Sequence, residues 1–410
     1  MQSRFVNSCA GPTPRGGLAL LVAAQGLSAL ADHALLIVGM ARLAEMALPA
    51  WWAPLLKLVF TLAYVLLAPV VGAWADSQPK ASALKLTTAL KACGVAWLLG
   101  GGHPLLALAL AGMGAAAAAP ARYGWVAERV PAGRLVAANA WLEGMTVCAA
   151  VLGIGFGGWL VRPGGGGVAA AAAVLLAVQA LALLLLGALP RAAATRPGRP
   201  RHGRLRRGQL LRRFAAGQRR LWGDGLASLS LNVTTLFWGA AAVLQIAVLQ
   251  WAAEVLALPL HRATALQMAV AVGIVAGAAW AGRHVPLAAA PRLLPLGLLL
   301  GLGVAAASLL THWVTALVAM AALGAIGGVL VVPMNALLQQ RGHALLSAGR
   351  AIAVQNFAEN CSILLMLALH AALLAAGLDV RLLMALLGLA VSAGVALLMF
   401  RGRAKAARPA

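Results

Sequence analysis

The stretch 191-RAAATRPGRPRHGRLRRGQLLRRFAAGQRR-220 carries eleven arginines and lies close to the midpoint of the 410-residue chain. On either side of it, apolar runs of roughly twenty residues follow one another with short polar breaks, which is about the length that a helix needs to cross a hydrocarbon core of about 30 Å. The stretch therefore separates two hydrophobic halves, and the sequence predicts an all-α polytopic membrane protein.

The apolar runs predict twelve membrane-spanning helices, six in each half. Their predicted bounds are 17–41, 52–75, 81–100, 104–125, 134–160, 168–189, 226–250, 263–282, 292–310, 313–335, 350–375 and 380–400. The chain then has an N-terminal six-helix half at 1–189, a basic linker at 190–225 and a C-terminal six-helix half at 226–410.

Composition excludes a soluble fold. Hydrophobic residues make up 62% of the chain, charged residues only 10%, and the mean hydropathy is +0.91, whereas a soluble domain of this size needs far more polar surface. A net charge of +23 is also found in nucleic-acid-binding proteins, but most lysines and arginines of this chain fall in the termini and the even-numbered connections. Because basic loops stay cytoplasmic during insertion, this pattern predicts cytoplasmic termini and a cytoplasmic linker, and no nucleic-acid partner.

Other readings of short segments are disfavoured. The segment Gly17–Ala31 has features of a secretion signal, but apolar sequence resumes at Ala34, so we expect this helix to be retained. The four cysteines are far apart in the sequence and have no metal-ligand spacing, so neither a disulfide framework, nor a metal site, nor any other cofactor is implied. The cysteines are Cys9, Cys93, Cys148 and Cys361.

Six spans, a long basic connection and six more spans are typical of transporters built from two parallel repeats, in which the substrate site lies near the midplane between the repeats. The second part of the linker mixes arginines with Leu210, Leu211 and Phe214. It either serves as a topology anchor alone or lies on the anionic inner leaflet as an interfacial helix. Small residues at Gly112-Met-Gly114 and at 153–158 predict close helix packing, with a groove for an acyl chain as the alternative.

Charged side chains inside spans are the main candidates for a site, because each costs about 2.5–3.5 kcal/mol at mid-bilayer on insertion scales. Two helices also carry polar stripes, since Asn139 and Glu143, and likewise Gln355 and Glu359, are four residues apart. Acids, bases and amides together would suit a ligand that carries both charges. The alternative is that the charges form structural ion pairs, above all Lys57 and Lys91. The predicted substrate-binding residues are Asp32, Lys91, Arg122, Asn139, Glu143, Gln355, Asn356 and Glu359.

The motif Gly72-Ala-Trp-Ala-Asp76, at the end of the second span, resembles the loop motif between the second and third helices of the major facilitator superfamily. In that superfamily the glycine allows close packing and the acid supports a conformational latch, so the resemblance implies these roles for Gly72 and Asp76. The basic residues that usually follow are reduced to Lys80 and Lys85. The corresponding loop of the second half, near Gly282-Arg283, has no acid, so a latch is expected in the first half alone.

More specific motifs follow in order along the chain, and they resemble the bacterial lysophospholipid transporter family, a branch of that superfamily. They are 28-SALADHALL-36, 119-APARYG-124, 138-ANAWLE-143, 236-LFWG-239, 332-VPMNALLQQRG-342 and 351-AIAVQNFAEN-360.

The resemblance implies facilitated transfer of lysophosphatidylethanolamine and related lysophospholipids from the outer to the cytoplasmic leaflet of the inner membrane, where an acyltransferase restores the second chain. It assigns the family's acids to Asp32 and Glu359, and it assigns the family's base, a lysine, to Arg122. One departure is Gln245, where the family can carry an arginine. The expected partners are the lysophospholipid, the membrane lipids and, by functional coupling, the acyltransferase. Docking of that enzyme on the arginine-rich linker is a further hypothesis.

Two other functions remain open from the residues. A proton-coupled exporter of the same superfamily would use Asp32 or Glu359 to carry the proton. A membrane-embedded acyltransferase would need a histidine paired with an acid or a serine, and no such pairing is evident at His33, His103, His261, His312 or His370. We therefore expect a transporter and not an enzyme.

Overall fold

The computed structural model describes residues 15–48, 52–162, 164, 166–189, 207–258 and 260–406, and these residues form helices and their connections, with no strand. Two short 3₁₀ turns, Ala132–Arg134 and Leu287–Leu293, precede α5 and α10. The helices are α1 Arg15–Glu45, α2 Trp52–Ser77, α3 Lys80–Leu99, α4 Pro104–Arg129, α5 Leu135–Leu160, α6 Gly167–Gly187, α7 Arg207–Gly223, α8 Gly225–Glu254, α9 Leu260–His284, α10 Leu294–Ala307, α11 Trp313–Leu345, α12 Ala348–Ala375 and α13 Val380–Ala406.

Within the described ranges, twelve helical segments are long and apolar enough to cross a membrane, which confirms the predicted fold class. They are the helices above apart from α7, with the first 3₁₀ turn included in the fifth span and the second in the ninth. Large apolar side chains are exposed along these spans, for example Leu66, Leu184 and Leu365. Lipid tails, and not water, are the natural solvent for such a surface.

The predicted end of the tenth span is wrong. We expected it at residue 335, whereas α11 continues to Leu345. The apolar run ends where Asn335, Gln339 and Gln340 begin, but Asn335 and Gln339 are buried. A buried polar side chain can continue a helix as well as an apolar one does, so hydropathy alone ended this helix ten residues too early.

The chain clusters into two compact units. The first unit contains residues 1–138, 148–221 and 339–357, and the second contains residues 139–147, 222–338 and 358–410. The middle of α5 thus clusters with the second unit, and the α11–α12 connection clusters with the first. The sequence division at the basic linker stays a prediction.

Each unit has its own apolar core. In the first unit, Leu35, Leu56, Leu108 and Leu175 belong to one buried cluster that draws on α1, α2, α4 and α6. In the second unit, Trp251, Leu266, Met320 and Met384 belong to another cluster, from α8, α9, α11 and α13.

Polar contacts in the first unit show that consecutive helices alternate in direction. Arg42, near the end of α1, forms an ion pair with Glu45 and donates a hydrogen bond of 2.8 Å to the Gly101 carbonyl in the α3–α4 connection. At the other end, Lys80 Nζ lies 3.4 Å from Glu128 Oε1 and joins the α2–α3 connection to the end of α4. This alternation is what successive membrane crossings require.

Glycines permit backbone contact between helices, as predicted for part of the small-residue motifs. A Cβ atom built on Gly112 would lie 2.6 Å from the Phe60 carbonyl, and one built on Gly153 would lie 2.6 Å from the Leu30 carbonyl. Gly155 and Gly158, on the other face of α5, have no other group within 4 Å of that position. The motif at 153–158 therefore has one packed side and one open side.

The contact between α9 and α11 depends on two pairs of glycines that the sequence analysis did not single out. Gly273 and Gly277 on α9, and Gly324 and Gly328 on α11, are each four residues apart. A Cβ atom on any of them would lie closer than 3.0 Å to backbone atoms of the partner helix. In lipid, such close approach is a principal source of helix association, because apolar burial between helices gains little there.

We predict that Gly277→Leu lowers the stability of the purified protein by about 1–3 kcal/mol, the usual cost of overpacking, because α9 must move away from the backbone of α11. The thermal unfolding midpoint in detergent checks this. Gly155→Leu is the matched control, since its side chain would enter open space on another spanning helix. Equal midpoints for the two variants would contradict the close contact.

Candidate functional site

A buried ion pair joins α1 to α3 in the first unit. Asp32 and Lys91 are only 8% and 4% exposed, and Lys91 Nζ lies 2.5 Å from Asp32 Oδ2. Lys91 Nζ also donates a hydrogen bond of 3.2 Å to Ser28 Oγ. Ser28 and Asp32 are four residues apart and share one face of α1, so a single lysine reaches both. The ion pair that the sequence left open for Lys91 is present.

The pair leaves hydrogen-bonding capacity unused. Asp32 Oδ1 is buried and has no hydrogen-bond partner, and such a group costs free energy unless something satisfies it. The stem of Lys91 is held against α4, because a Cβ atom on Gly114 would lie 2.6 Å from Lys91 Cγ. A side chain at position 114 would therefore push the lysine out of place, which gives a packing reason for this glycine.

Arg122 adds a second base to this region. It follows Pro120 within α4, and its guanidinium lies 4.7 Å from the centre of the Tyr123 ring. Its Nε is buried without a hydrogen-bond partner, and its charge acts on both Asp32 and Tyr64. Within the described part of the first unit, Asp32 therefore has two bases in its surroundings, Lys91 and Arg122, so the positive charges outnumber this carboxylate.

Lys57 lies on the edge of the same region. Its charge acts on His33, as does that of Lys91, but the side chain of Lys57 is exposed and its Nζ lies 6.0 Å from the centre of the Phe60 ring. The ion pair considered for Lys57 is not among the contacts of the described residues.

The second unit places a carboxylate at the middle of α5. Asn335 Nδ2 on α11 donates a hydrogen bond of 2.9 Å to Glu143 Oε1, and both side chains are buried. Asn139, four residues before Glu143, is fully buried. Beside them, Ser230 Oγ of α8 donates a hydrogen bond to the Met334 carbonyl.

The predicted polar stripe on α12 is also buried. Gln355 and Glu359 are four residues apart on one continuous helix, and both are less than 9% exposed, while Asn356 is half-buried. Gln355 and Asn356 cluster with the first unit and Glu359 with the second. The structure thus brings together Asp32 and Lys91 in one unit. That all eight predicted residues serve one substrate site stays a prediction.

The predicted latch residues lie in a compact polar cluster, the Asp76 cluster, formed by Gly72, Asp76, Lys80, Ser347 and Gly349. Asp76 Oδ1 accepts a hydrogen bond of 2.9 Å from the Gly349 backbone N–H, and Asp76 Oδ2 accepts one of 2.5 Å from Ser347 Oγ. Lys80 Nζ lies 3.1 Å from Asp76 Oδ1. Since α12 begins at Ala348, the carboxylate sits at a helix N-terminus, where an anion is stabilised.

Gly72 makes this contact possible. A Cβ atom at Gly72 would lie 2.9 Å from the Gly349 carbonyl oxygen and 2.9 Å from Arg350 Cα, and one at Gly349 would lie 2.6 Å from Asp76 Oδ1. Backbone atoms of α2 and α12 therefore touch directly. The close packing that the sequence motif implied for Gly72 is present.

Sequence reasoning missed several partners. Ser28, four residues before Asp32, could have been found from helical spacing. Asn335 stood within a quoted motif but was not assigned to the site. Ser347 and Gly349 gave no signal, because only the fold brings them to Asp76. The described residues contain no group of three or more His, Cys, Asp or Glu side chains that could hold a metal ion.

The comparisons with known proteins agree with this architecture. The family model described as Major Facilitator Superfamily matches residues 50–365. The chain belongs to the major facilitator superfamily.

Solved structures of this superfamily share the fold. The human organic anion transporter MFSD10 superimposes with a TM-score of 0.74 at 16% identity, covering 94% of this chain and 100% of the other. The Escherichia coli fucose:proton symporter FucP superimposes with a TM-score of 0.71 at 14% identity, covering 94% and 98%. At these identities the likeness concerns the fold alone.

Sequence relatives are much closer. A protein named lysophospholipid transporter LplT from Pectobacterium carotovorum is 38% identical over 365 residues, which cover 88% of this chain and 87% of the relative. Its namesake from Cronobacter sakazakii is 39% identical over 357 residues, covering 87% and 88%, and that from Escherichia coli O9:H4 is 38% identical over 371 residues, covering 89% and 90%. Within the superfamily, this chain belongs to the lysophospholipid transporter family, as its motifs indicated.

Gln245, the departure from the family pattern, lies on α8 with an exposed side chain, and its backbone carbonyl accepts a hydrogen bond from the Gln267 side chain on α9. This hydrogen bond uses the backbone carbonyl of residue 245, so it does not depend on whether the side chain there is an amide or a guanidinium. The substitution therefore removes a charge from the second unit without changing this contact.

We predict that Asp32→Asn and Lys91→Met each destabilise the protein by about 3–5 kcal/mol, because each leaves one buried charge uncompensated. The double variant should recover much of the loss, since no unpaired charge remains. Thermal unfolding of the four proteins in detergent gives the coupling energy.

Glu45→Gln is the control for this cycle, because it removes one partner of the exposed Arg42–Glu45 pair and should cost about 1 kcal/mol or less. Additive effects of the two buried substitutions would contradict a direct pair between Asp32 and Lys91.

Proposed function

We propose that the chain carries lysophospholipids, lysophosphatidylethanolamine among them, from the outer to the cytoplasmic leaflet of the bacterial inner membrane by facilitated alternating access. The observation that carries this proposal is the identity of 38–39% to proteins named lysophospholipid transporter over nearly nine-tenths of the chain. The buried charged groups of the first unit, some of whose atoms lack hydrogen-bond partners, are the groups that would bind the substrate.

The charges suit a headgroup that contains a phosphate and an ammonium. Arg122 has an unused buried Nε, and a guanidinium can bind two phosphate oxygens at once, as a lysine cannot. Lys91 can share the same anion while it stays paired with Asp32. Asp32, Glu143 and Glu359 are the carboxylates that we expect to contact the ammonium.

The remaining predicted residues provide amide groups. Asn139, Gln355 and Asn356 can accept hydrogen bonds from an ammonium or donate them to a phosphate. A lysophospholipid keeps its single acyl chain beside the spans, where exposed apolar side chains already face lipid. This division places the polar headgroup on protein and leaves the chain in hydrocarbon.

In the proposed orientation both termini and the basic linker are cytoplasmic, in accord with the basic loops. The product then appears in the leaflet where a reaction that transfers an acyl group to the free hydroxyl can consume it. The protein itself is a transporter in this proposal and performs no chemical step.

The Asp76 cluster supports a role as a conformational latch. The carboxylate holds the end of α2 against the start of α12 through a backbone N–H, a serine hydroxyl and a lysine. Breaking these contacts would release α12 from α2, which is a change that an alternating-access cycle can use.

The role of Arg122 leads to a prediction about transport. Arg122→Lys should retain most uptake of labelled lysophosphatidylethanolamine into spheroplasts, because the cation remains and the family carries lysine there. Arg122→Gln should reduce uptake about 10- to 100-fold, the value of one or two charge-assisted hydrogen bonds. Asp32→Ala and Glu359→Ala should reduce it as well.

A protonophore distinguishes this function from proton-coupled export. Uptake by the unsubstituted protein should survive the protonophore, and uptake that collapses on uncoupling would instead favour the proton-driven exporter. Equal uptake by the Lys and Gln variants at position 122 would remove Arg122 from the site.

The latch gives a separate prediction. Gly72→Ala should reduce uptake about tenfold or more at equal protein level, because the new Cβ atom would collide with the backbone of α12 and the loss of one charge-assisted contact is worth about that factor. Gly187→Ala, at the end of another span where nothing lies within 4 Å, is the control. Unchanged uptake by Gly72→Ala would argue against any need for this close contact.

A further inference from the structure

The basic linker contains a helix that packs onto the first unit. Leu210, Phe214, Gly217 and Leu221 of α7 recur at helical spacing on one face; Leu221 and Gly217 are buried, and the other two are half-buried. The Phe214 ring meets the Phe357 ring of α12 edge to face, with centroids 5.3 Å apart. A Cβ atom on Gly217 would lie 3.4 Å from the Leu346 side chain. The helix is therefore fixed at the ends of the spans.

A shallow cavity lies between α7, α2 and α12; it is partly open to the outside, and its volume is about 30 Å³. Most of its wall is apolar, with Pro69 and Ala73 from α2, Phe214 from α7 and Val354 from α12. So small a volume holds about one water molecule, so a larger ligand would lie along this cavity as along a groove and not inside it. The cavity takes no part in the polar region around Asp32 and Lys91.

Two arginines supply the polar part of the cavity. Arg213 of α7 and Arg350 of α12 line it and are exposed. No residue that lines the cavity, within the part of the chain that the structure describes, is acidic. The nearby carboxylate of Asp76 is already bound by Ser347, Gly349 and Lys80. Charge complementarity therefore calls for an anion with an apolar part.

The position of the cavity identifies the kind of ligand. Ala73 and Arg350 lie within four residues of the ends of membrane-spanning segments, while Pro69 lies eight residues from one. The cavity therefore extends inward from the span ends, which is where lipid headgroups meet acyl chains. Beside it, Leu211 and Trp222 of α7 are 58% and 40% exposed, next to Arg212 and Arg219. Apolar side chains flanked by arginines are typical of helices that lie on an anionic leaflet.

We infer that the cavity between α2, α7 and α12 binds an anionic phospholipid of the surrounding leaflet, with its phosphate between Arg213 and Arg350 and an acyl chain along Pro69 and Phe214. The lipid bridges three helices at the point where Gly72 touches Arg350. It thereby stabilises the contact of α2 with α12 that the Asp76 cluster holds, and the lipid composition of the leaflet sets how firmly the latch is closed.

The binding is tested on the full-length protein in a neutral detergent by titration with phosphatidylglycerol, or with phosphatidylcholine of the same acyl chains. Native mass spectrometry counts the bound lipid, and thermal unfolding reports the stabilisation. We expect phosphatidylglycerol to be retained preferentially and to raise the unfolding midpoint. Arg213→Gln/Arg350→Gln should bind it at least about tenfold more weakly, since each basic side chain near the surface contributes to attraction.

Two further variants distinguish lipid binding at the cavity from nonspecific adsorption of lipid to the basic surface. Arg212→Gln/Arg219→Gln removes the same charge from α7 outside the cavity and should leave the bound lipid unchanged. Ala73→Leu keeps both arginines but fills the cavity, and it should also weaken binding. If the double variant fails to fold, Arg213→Gln alone carries the test, because that side chain is exposed.

The inference is overturned by any of three results: equal retention of phosphatidylcholine, an equal loss in the Arg212/Arg219 control, or full retention in Arg213→Gln/Arg350→Gln. The second result would indicate adsorption to the basic surface of α7. Because the readout is lipid binding and stability, its failure would leave the proposed transport function untouched.

Discussion

Backbone hydrogen bonding in hydrocarbon is the constraint on which the rest of the structure depends. No water is present there to satisfy a backbone N–H or C=O group, so every membrane-spanning segment must be helical. Helices that are apolar all round cannot gain much by burying apolar surface against one another. Their association then depends on how closely backbones approach, which explains why glycines such as Gly112, Gly277 and Gly328 lie where two helices touch.

The same solvent determines what a charged side chain can do. A charge that is isolated in hydrocarbon is costly, so Lys91 lies against Asp32 and Ser28, and Glu143 accepts a hydrogen bond from Asn335. These pairings reduce the cost of burial but do not use every polar atom. Asp32 Oδ1 and Arg122 Nε remain unsatisfied, and these are the atoms at which we propose that a headgroup binds.

Much of this architecture could be predicted from the sequence, because the bilayer directly constrains the length of apolar segments and the placement of basic loops. The twelve spans, and the location of Asp32, Lys91, Glu143 and Glu359 within them, follow from these constraints. The extension of α11 to Leu345 could not, since hydropathy does not register a helix that continues through buried polar residues. The pairing of Asp76 with Ser347 and Gly349 could not either, because those residues are some 270 positions away along the chain and nothing local marks them.

The Asp76 cluster has a kinetic consequence. Asp76 accepts hydrogen bonds from Ser347 and from the Gly349 backbone N–H, and Lys80 neutralises its charge. Gly72 and Gly349 let the backbones of α2 and α12 touch directly. If α12 withdraws from α2 during transport, as proposed, these contacts are lost nearly together because they share one carboxylate. Opening at this end would then be a single activated step, and its barrier would contribute to the turnover rate.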